Sequence, residues 1–404
     1  MKKYFEELSD SRQQGKVKYN LVEVVVMAII AVTAGAEHWN EIAMYCKNKE
    51  EMLKTEFHLE LANGTPTDDT FQRIFAIIKP KEFEKCFMNW VKSVIKVTDK
   101  EIVSVDGKTL RGSQDTENNS DVIHMVSAWA NSAGVVLGQI RVNEKSNEIP
   151  AVPELLDCID VKNCVITSDA MSCQKKTVEK ITGHECDYVI CLKGNQETLY
   201  EDVKLYFETA QKEPNFYPLS TVKKSEKNHG RIEKREYFLT TDVDWIADKQ
   251  DWANLNAIGM VRSTRVIKGV ETVDIRYFIS SVTDITLFAK AVRQHWGIEN
   301  SLHWCLDMCF DEDHCRMRVD NSAENFAILR HIATNLYKSF TSVKLSLKAK
   351  RFRCSFDDRF LANVICNYSV TLRNPQFLHK VEKWEGSEKN QRNVNIQEEK
   401  KVVC

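Results

Sequence analysis

The stretch EIVSVDGKTLRG, residues 101–112, joins an apolar alternation to a carboxylate, Asp106. Asp-Gly commonly ends a strand in a turn, so this stretch alone predicts only a turn. The same arrangement recurs in VKNCVITSDA, residues 161–170, where an apolar run leads to Asp169. Two predicted strands therefore each deliver an Asp at the carboxyl end. In open α/β sheets, that edge is where ligands bind.

The hydrophobic pattern around these stretches predicts alternating strands and helices. Strands are predicted at 101–106, 122–130, 134–142, 163–168 and 187–192, with helices at 152–160, 173–182 and 195–210. Three strands with a hairpin, then helix, strand, helix, strand and helix, is the order of an RNase H-like fold. The predicted fold class is thus α/β, an RNase H-like mixed sheet with helices on both faces.

The rest of the chain divides around this pattern. The predicted parts are a helical N-terminal domain (1–98), an RNase H-like domain (99–210 and 286–340), a β-rich insertion (211–285), and a basic segment with a polar, disordered tail (341–404).

Bulk composition indicates an ordinary globular protein. The chain has 404 residues, a net charge of −2 and 13 cysteines. This charge does not favour nucleic-acid binding over the whole surface, so any DNA contact must come from local basic patches. The N-terminus is polar, and the longest apolar run, 21–36, contains Glu23 and is short for a membrane span. A cytoplasmic protein with reduced thiols and no membrane contact is expected.

Asp106 and Asp169 are predicted to converge, because the first and fourth strands of an RNase H-like sheet are neighbours. Two close carboxylates repel each other unless a cation lies between them. Mg²⁺ or Mn²⁺ prefers such oxygen ligands, and two-metal phosphoryl transfer needs a third carboxylate. The sequence therefore predicts a two-metal site that is completed from a later helix.

Two acidic segments compete to supply the third carboxylate. Glu299 lies in the helical pattern HWGIENSLHW, where Trp296 and His303 share its face at helical spacing. The acidic run 311–313 lies 12 to 14 residues further on, about 18–21 Å away along a continuous helix. We predict that Glu299 is the ligand. Asp311 and Asp313 are predicted to pair with neighbouring cations, Arg316 and Arg318.

A zinc site is an alternative use of the same region. The stretch HWCLDMCFDEDHC contains His303, Cys305, Cys309, His314 and Cys315. It lacks the short Cys-x-x-Cys spacing of common zinc modules, and cysteines in a cytosolic helix usually pack as small apolar residues. A zinc-stabilised interaction protein therefore remains a minor alternative.

Motifs spread over residues 15–340 are similar to those of one known family. They read GTPTDDTFQRIF (64–75), VDGKTLRGS (105–113), HMVSAW (124–129), EIPAVPELL (148–156), ITSDAM (166–171), YVICLKGNQ (188–196), HGRIEKREY (229–237), HWGIENSLHW (295–304) and FDEDHCRMR (310–318). The chain resembles the H-repeat-associated insertion-sequence transposases, which are bacterial enzymes of the DDE class. The resemblance implies an RNase H-like catalytic domain with Asp106, Asp169 and Glu299 as the catalytic, metal-binding triad. It also makes the helical N-terminal domain (1–98) a candidate for DNA binding.

The resemblance has one departure, and it concerns the residues around Glu299. Related DDE transposases carry Tyr and Arg ahead of the catalytic Glu and Lys after it. Here Val292 and His295 stand at the first two positions, and Leu306 follows seven residues after Glu299. Arg293 or His295 is expected to replace the usual Arg.

Local basic and aromatic residues supply the predicted DNA contacts, since cations near a metal site attract phosphates. The predicted DNA-binding residues are Lys108, Arg111, Lys193, Arg231, Arg235, Arg293, His295, Trp296 and His303. The expected function is that of a bacterial insertion-sequence transposase, which uses metal ions to cut DNA at element ends and to transfer the freed 3′ ends to target DNA. It would act as a homo-oligomer in the cytoplasm, on the nucleoid when bound to DNA. The alternative is a catalytically inactive, transposase-derived DNA-binding protein.

Overall fold

The N-terminal part of the chain is helical, as predicted. The computed structural model describes residues 1–95, 97–114, 122–142, 149–228, 231–267 and 270–366. The first helices are α1 (Leu21–Thr33), α2 (Trp39–Asn48), α3 (Glu50–Phe57), α4 (Asp68–Ile77) and α5 (Pro80–Val94). Helix α1 is apolar around its circumference and almost completely buried, as a helix enclosed by other elements must be. No helix in the described part of the chain has the length and apolar character needed to cross a membrane.

A single mixed sheet forms the centre of the molecule. Its strands are β1 (Ile102–Leu110), β2 (Ile123–Ala130), β3 (Val135–Val142), β4 (Val165–Ser168), β5 (Asp187–Leu192), β6 (Ser220–Asn228), β7 (Arg231–Thr240), β8 (Ala257–Ile267) and β9 (Val270–Ser280). They are ordered β3-β2-β1-β4-β5-β9-β8-β7-β6. Strands β1, β4 and β5 are parallel, whereas β2 and β3 are antiparallel neighbours on one side. This order and direction confirm the RNase H-like fold.

Helices cover both faces of the sheet. They are α6 (Ala151–Cys158), α7 (Lys175–Gly183), α8 (Glu197–Lys212), α9 (Ile285–Ile298), α10 (Trp304–Phe310), α11 (Ser322–Ser339), α12 (Leu347–Cys354) and α13 (Asp358–Cys366). Ile102 and Val165 belong to the core that contains Phe288 of α9. Their strand neighbours Val103 and Ile166 face the other way, into the core shared with α6, α7 and α8.

The β-rich segment extends this sheet. Strand β9 pairs with β5 in antiparallel fashion, and β8, β7 and β6 follow in order. We call strands β6–β9 the wing. Because the wing continues the central sheet, one of its faces continues the face that carries Asp106.

One prediction about the end of a strand was wrong. Strand β1 does not end at Asp106 but continues to Leu110, because the residues after Asp106 keep pairing with β2 as far as Leu110 opposite Ile123. The long antiparallel partner thus overrides the turn tendency of Asp-Gly. The predicted basic segment forms helices α12 and α13 up to Cys366. The predicted polar, disordered tail lies outside the described residues.

Gly259 on β8 allows α9 to pack against the wing. A Cβ atom at this position would lie 2.2 Å from the ring of Phe288, which is fully buried. Gly259→Ala is therefore expected to lower the free energy of unfolding by about 1–3 kcal/mol through overpacking. Urea denaturation measures the change. Gly194→Ala is the matched control, since a Cβ there meets nothing within 4 Å. Equal stability of the two variants would contradict this packing.

Candidate functional site

Asp106 and Asp169 lie next to each other on the sheet. Strands β1 and β4 are parallel neighbours, with Val105 opposite Ser168. Asp106 directly follows Val105, and Asp169 directly follows Ser168. The register therefore places the two Asp residues side by side at the carboxyl ends of the paired segments. Both line one cleft. The Asp169 side chain also accepts a hydrogen bond of 3.1 Å from the backbone N–H of Met171.

Two hydroxyl residues fix α9 over these carboxylates. Ser104 and Thr167 lie two residues before Asp106 and Asp169, so they point to the same face of the sheet. The Ser104 hydroxyl donates to the carbonyl of Gln294 at 3.4 Å, and the Thr167 hydroxyl lies 3.1 Å from Nδ1 of His295. These bonds hold the C-terminal end of α9 directly above the two Asp residues.

A π-helical turn then places Glu299. The turn spans Glu299–His303 and connects α9 to α10. Such turns are rare and occur frequently at functional sites. Just before it, Gly297 permits close approach to the end of β2, since a Cβ there would lie 2.1 Å from Oδ1 of Asn131.

Asp106, Glu299 and His303 form one compact group. Nδ1 of His303 lies 3.7 Å from Oδ2 of Asp106 and 3.6 Å from Oε2 of Glu299. One donor atom from each residue lies within 4.8 Å of the others, and no other set of three or more His, Cys, Asp or Glu in the described ranges does so. Burial raises the pKa of Asp106 to about 7, with Glu299 adding to the rise and His303 opposing it. The His303 imidazole lowers the pKa of Glu299.

Five of the predicted DNA-binding residues line the same cleft as the carboxylates. They are Lys193, Arg235, Arg293, His295 and Trp296. The cleft runs from the carboxylates onto the wing. It therefore combines acidic residues at its floor with basic and aromatic residues at its sides.

The other predicted DNA contacts lie elsewhere. Lys108 is only 11% exposed and contacts three carboxylates, those of Asp307 (2.6 Å), Asp313 (3.4 Å) and Glu312 (3.7 Å). Arg111 lies 3.4 Å from Asp313.

His303 is 5% exposed and faces Asp106 and Glu299. This burial does not support a direct contact between His303 and DNA. Arg231 begins β7, but its side chain lies outside the described part of the structure.

Arg293 and His295 differ in charge. Burial lowers the pKa of His295 to about 4, although Asp169 and Glu299 oppose the shift. His295 is therefore neutral near pH 7. Arg293 is half-exposed in the same cleft and lies 3.5 Å from Glu226. Of these two residues, only Arg293 carries a positive charge there.

The acidic run 311–313 does not belong to the compact group formed by Asp106, Glu299 and His303. Glu312 is 2% exposed and lies 3.7 Å from both Lys108 and Arg330. The predicted partners of the other two acids were wrong. Asp311 bonds His314 at 2.6 Å, and Asp313 contacts Lys108 and Arg111. The reason is that a left-handed residue, Asp311 with φ 48°, ends α10 and turns the run towards β1.

The five residues of the zinc alternative are also separated. His303 faces Asp106 and Glu299, whereas the exposed His314 side chain pairs with Asp311. Cys305 and Cys309 are buried on α10, and the Cys309 thiol beside it lowers the pKa of Cys305 to about 7. The five residues therefore do not surround one point at which a zinc ion could bind.

Arg265 and Arg276 were missed by sequence reasoning. Both line the cleft from the wing, and the guanidinium of Arg276 lies 4.9 Å from the ring centroid of Trp296. Alternation along β8 and β9 could have assigned their face, but only the order of the sheet shows that this face borders the carboxylates.

Comparison with known proteins identifies the family of this chain. A family model described as Transposase DDE domain matches residues 97–336, and one described as DDE_Tnp_1-associated matches residues 2–91. "H repeat-associated putative transposase YhhI" of Escherichia coli (strain K12) is 38% identical over 381 residues, which cover 92% of this chain and 100% of that protein.

A structural comparison gives a weaker likeness. The cryo-EM structure of the piggyBac transposase synaptic complex with hairpin DNA matches at a TM-score of 0.38 and 11% identity, over 90% of this chain and 80% of that one. A likeness of this size does not by itself establish a shared fold. The fold follows from the strand order, and the family from the sequence matches. This chain belongs to the transposase family that is defined by the DDE domain.

Proposed function

We propose that this protein is an active DNA transposase, which cuts DNA at the ends of a bacterial insertion sequence and joins those ends to target DNA. The observation that carries the proposal is that three carboxylates, those of Asp106, Asp169 and Glu299, line one cleft. Asp106 and Asp169 come from neighbouring parallel strands, and Glu299 comes from the helix packed over them. Each side chain is fixed by a different element of the fold.

The chemistry of this cleft fits divalent metal ions. Asp106, Asp169 and Glu299 offer hard oxygen ligands, which Mg²⁺ and Mn²⁺ prefer. The raised pKa of Asp106 reflects a carboxylate that is buried beside a second one, an arrangement that a cation stabilises. Held by Asp106, Asp169 and Glu299, a pair of such ions would supply activation of the attacking oxygen and stabilisation of the leaving oxygen in an in-line phosphoryl transfer.

The remaining residues of the cleft would position DNA. Arg235 and Arg276 of the wing are held by nearby acids, with Arg235 3.1 Å from Glu226 and Arg276 2.8 Å from Asp274. Such pre-oriented guanidinium groups can bind phosphate oxygens in bidentate fashion. Trp296 is 40% exposed beside them and offers a surface for base stacking. DNA would therefore lie along the wing, with its cleavable phosphate at the carboxylates.

Transposition joins two element ends, so we propose that the active complex contains more than one copy of this chain. It would act on the nucleoid, in the bacterial cytoplasm.

Cleavage separates this proposal from the alternative, a DNA-binding protein that has lost activity. A supercoiled plasmid that carries the DNA flanking the gene is incubated with the protein and Mn²⁺ or Mg²⁺. Nicks at the element ends that require the ion support the enzyme. Binding of the same DNA without nicking, with either ion, would favour the inactive protein.

Lys193 gives a separate test of the DNA path. It is exposed in the cleft, just after β5. Lys193→Ala is expected to weaken DNA binding several-fold and to reduce the slope of log K against log salt by about 1, as one lost phosphate contact would. Lys162→Ala is the matched control, since Lys162 is 59% exposed before β4, at the opposite edge of the sheet. The same salt slope for both variants would contradict this path. Fluorescence anisotropy provides the measurement.

A further inference from the structure

His303 is buried and lies beside the carboxylates of Asp106 and Glu299. Its Nδ1 atom faces Oδ2 of Asp106 at 3.7 Å and Oε2 of Glu299 at 3.6 Å. Two ligands on adjacent corners of an octahedron with bonds of about 2.1 Å lie about 3 Å apart. The Nδ1 atom of His303 therefore needs to approach each of the two carboxylate oxygens by less than about 1 Å to share one ion with them.

The second ring nitrogen of His303 also suggests a ligand role. Its Nε2 atom is buried, and it has no hydrogen-bond partner among the described residues.

The main argument for a ligand role is the direction of Nδ1, which faces two carboxylate oxygens at less than 4 Å. A histidine kept only for packing would ordinarily have its buried nitrogens bonded to other groups. His303 instead has one nitrogen directed at two carboxylates and the other without a hydrogen-bond partner among the described residues.

We propose that His303 is a nitrogen ligand, through Nδ1, of the ion shared by Asp106 and Glu299. This inference rests on the proposed metal-dependent function. It adds a residue to the three carboxylates and changes the chemistry of the site. Imidazole suits transition metals, whereas Mg²⁺ prefers oxygen. The site therefore prefers Mn²⁺ over Mg²⁺ more strongly than an all-carboxylate site does.

Pulsed EPR on the full-length protein with Mn²⁺ tests the ligand directly. The wild-type protein is expected to show a ¹⁴N coupling to the bound ion, and His303→Gln is expected to lose it. The Gln variant should also bind Mn²⁺ at least about 10-fold more weakly, a loss comparable to those seen when the partners of metal ligands are removed. Its Mg²⁺ affinity should fall less. His314→Gln is the matched control, because the His314 side chain is 81% exposed and pairs with Asp311. It should keep the coupling.

Isotope labelling tests the ligand without a substitution that could disturb folding. Wild-type protein that contains ¹⁵N-histidine should replace the ¹⁴N coupling with a ¹⁵N coupling, with no substitution in the chain. If Mn²⁺ binds and needs Asp106 but shows no histidine nitrogen, His303 is not a ligand, while the proposed function stands. A nitrogen signal that persists in a folded His303→Gln variant would also overturn this assignment. Failure of wild-type protein to bind Mn²⁺ would overturn the metal site as a whole.

Discussion

Asp106→Asn is expected to lower metal-dependent DNA cleavage by about 10⁴-fold or more, while DNA binding changes little. Groups that act as a unit in one active site typically show losses of this size when one is removed. Asn is nearly the same shape as Asp but lacks the negative charge that holds a divalent cation. Asp106 lies beside Asp169 and faces the Glu299 and His303 group. The same loss is expected for Asp169→Asn.

The fold of the Asp106→Asn variant should remain intact. Burial raises the pKa of Asp106 to about 7, so the folded, metal-free protein holds a proton that the unfolded chain gives up at lower pH. The carboxylate therefore reduces stability as pH rises through about 7, and Asn removes this effect. Urea denaturation at pH 8 with EDTA should show a variant at least as stable as the wild-type protein.

A matched substitution outside the cleft completes this comparison. Asp157→Asn changes a half-exposed carboxylate on α6 that pairs with Lys180 at 2.6 Å, and it should leave cleavage unchanged. Plasmid nicking with Mg²⁺ and Mn²⁺ measures all three variants. Cleavage by Asp106→Asn at the rate of Asp157→Asn would remove Asp106 from the proposed triad.

Glu312→Gln is expected to lower the free energy of unfolding by about 3–5 kcal/mol, the range seen when one partner of a buried ion pair is removed. Glu312 is 2% exposed and shares its charge between Lys108 and Arg330, each 3.7 Å away. Arg330 is itself 2% exposed. Without the Glu312 charge, a buried guanidinium loses its counter-charge.

Glu299→Gln should show the opposite pattern. Its side chain is 52% exposed at the cleft, so stability should change little, whereas cleavage should be lost. Asp311→Asn is the control beside Glu312, because Asp311 is exposed and Asn also tolerates its left-handed backbone conformation. Urea denaturation and plasmid nicking are measured for all three variants. If Glu299→Gln still cuts while a stable Glu312→Gln does not, the acidic run supplies the third ligand.

The sequence alone was sufficient to predict the central fold. The period of two in the strands and the helical pattern between them are local properties, and their order specifies an RNase H-like sheet. The prediction that the strands of Asp106 and Asp169 are neighbours is confirmed by the parallel pairing of β1 and β4. The family could also be identified, because many separate motifs matched it at once. The triad itself stays a prediction that cleavage assays must test.

Only the tertiary structure decided which side chains face the cleft. The length of β1 depends on its partner β2, which local turn tendency does not reveal. The direction of His303 depends on a π-helical turn, and one residue of shift on a helix rotates a side chain by about 100°. Lys108 was predicted to meet phosphate, yet three acids from a distant segment surround its amine. Arg265 and Arg276 join the cleft because the wing extends the sheet. Each of these outcomes depends on contacts between residues far apart in the chain, which a local pattern of hydrophobicity and charge does not encode.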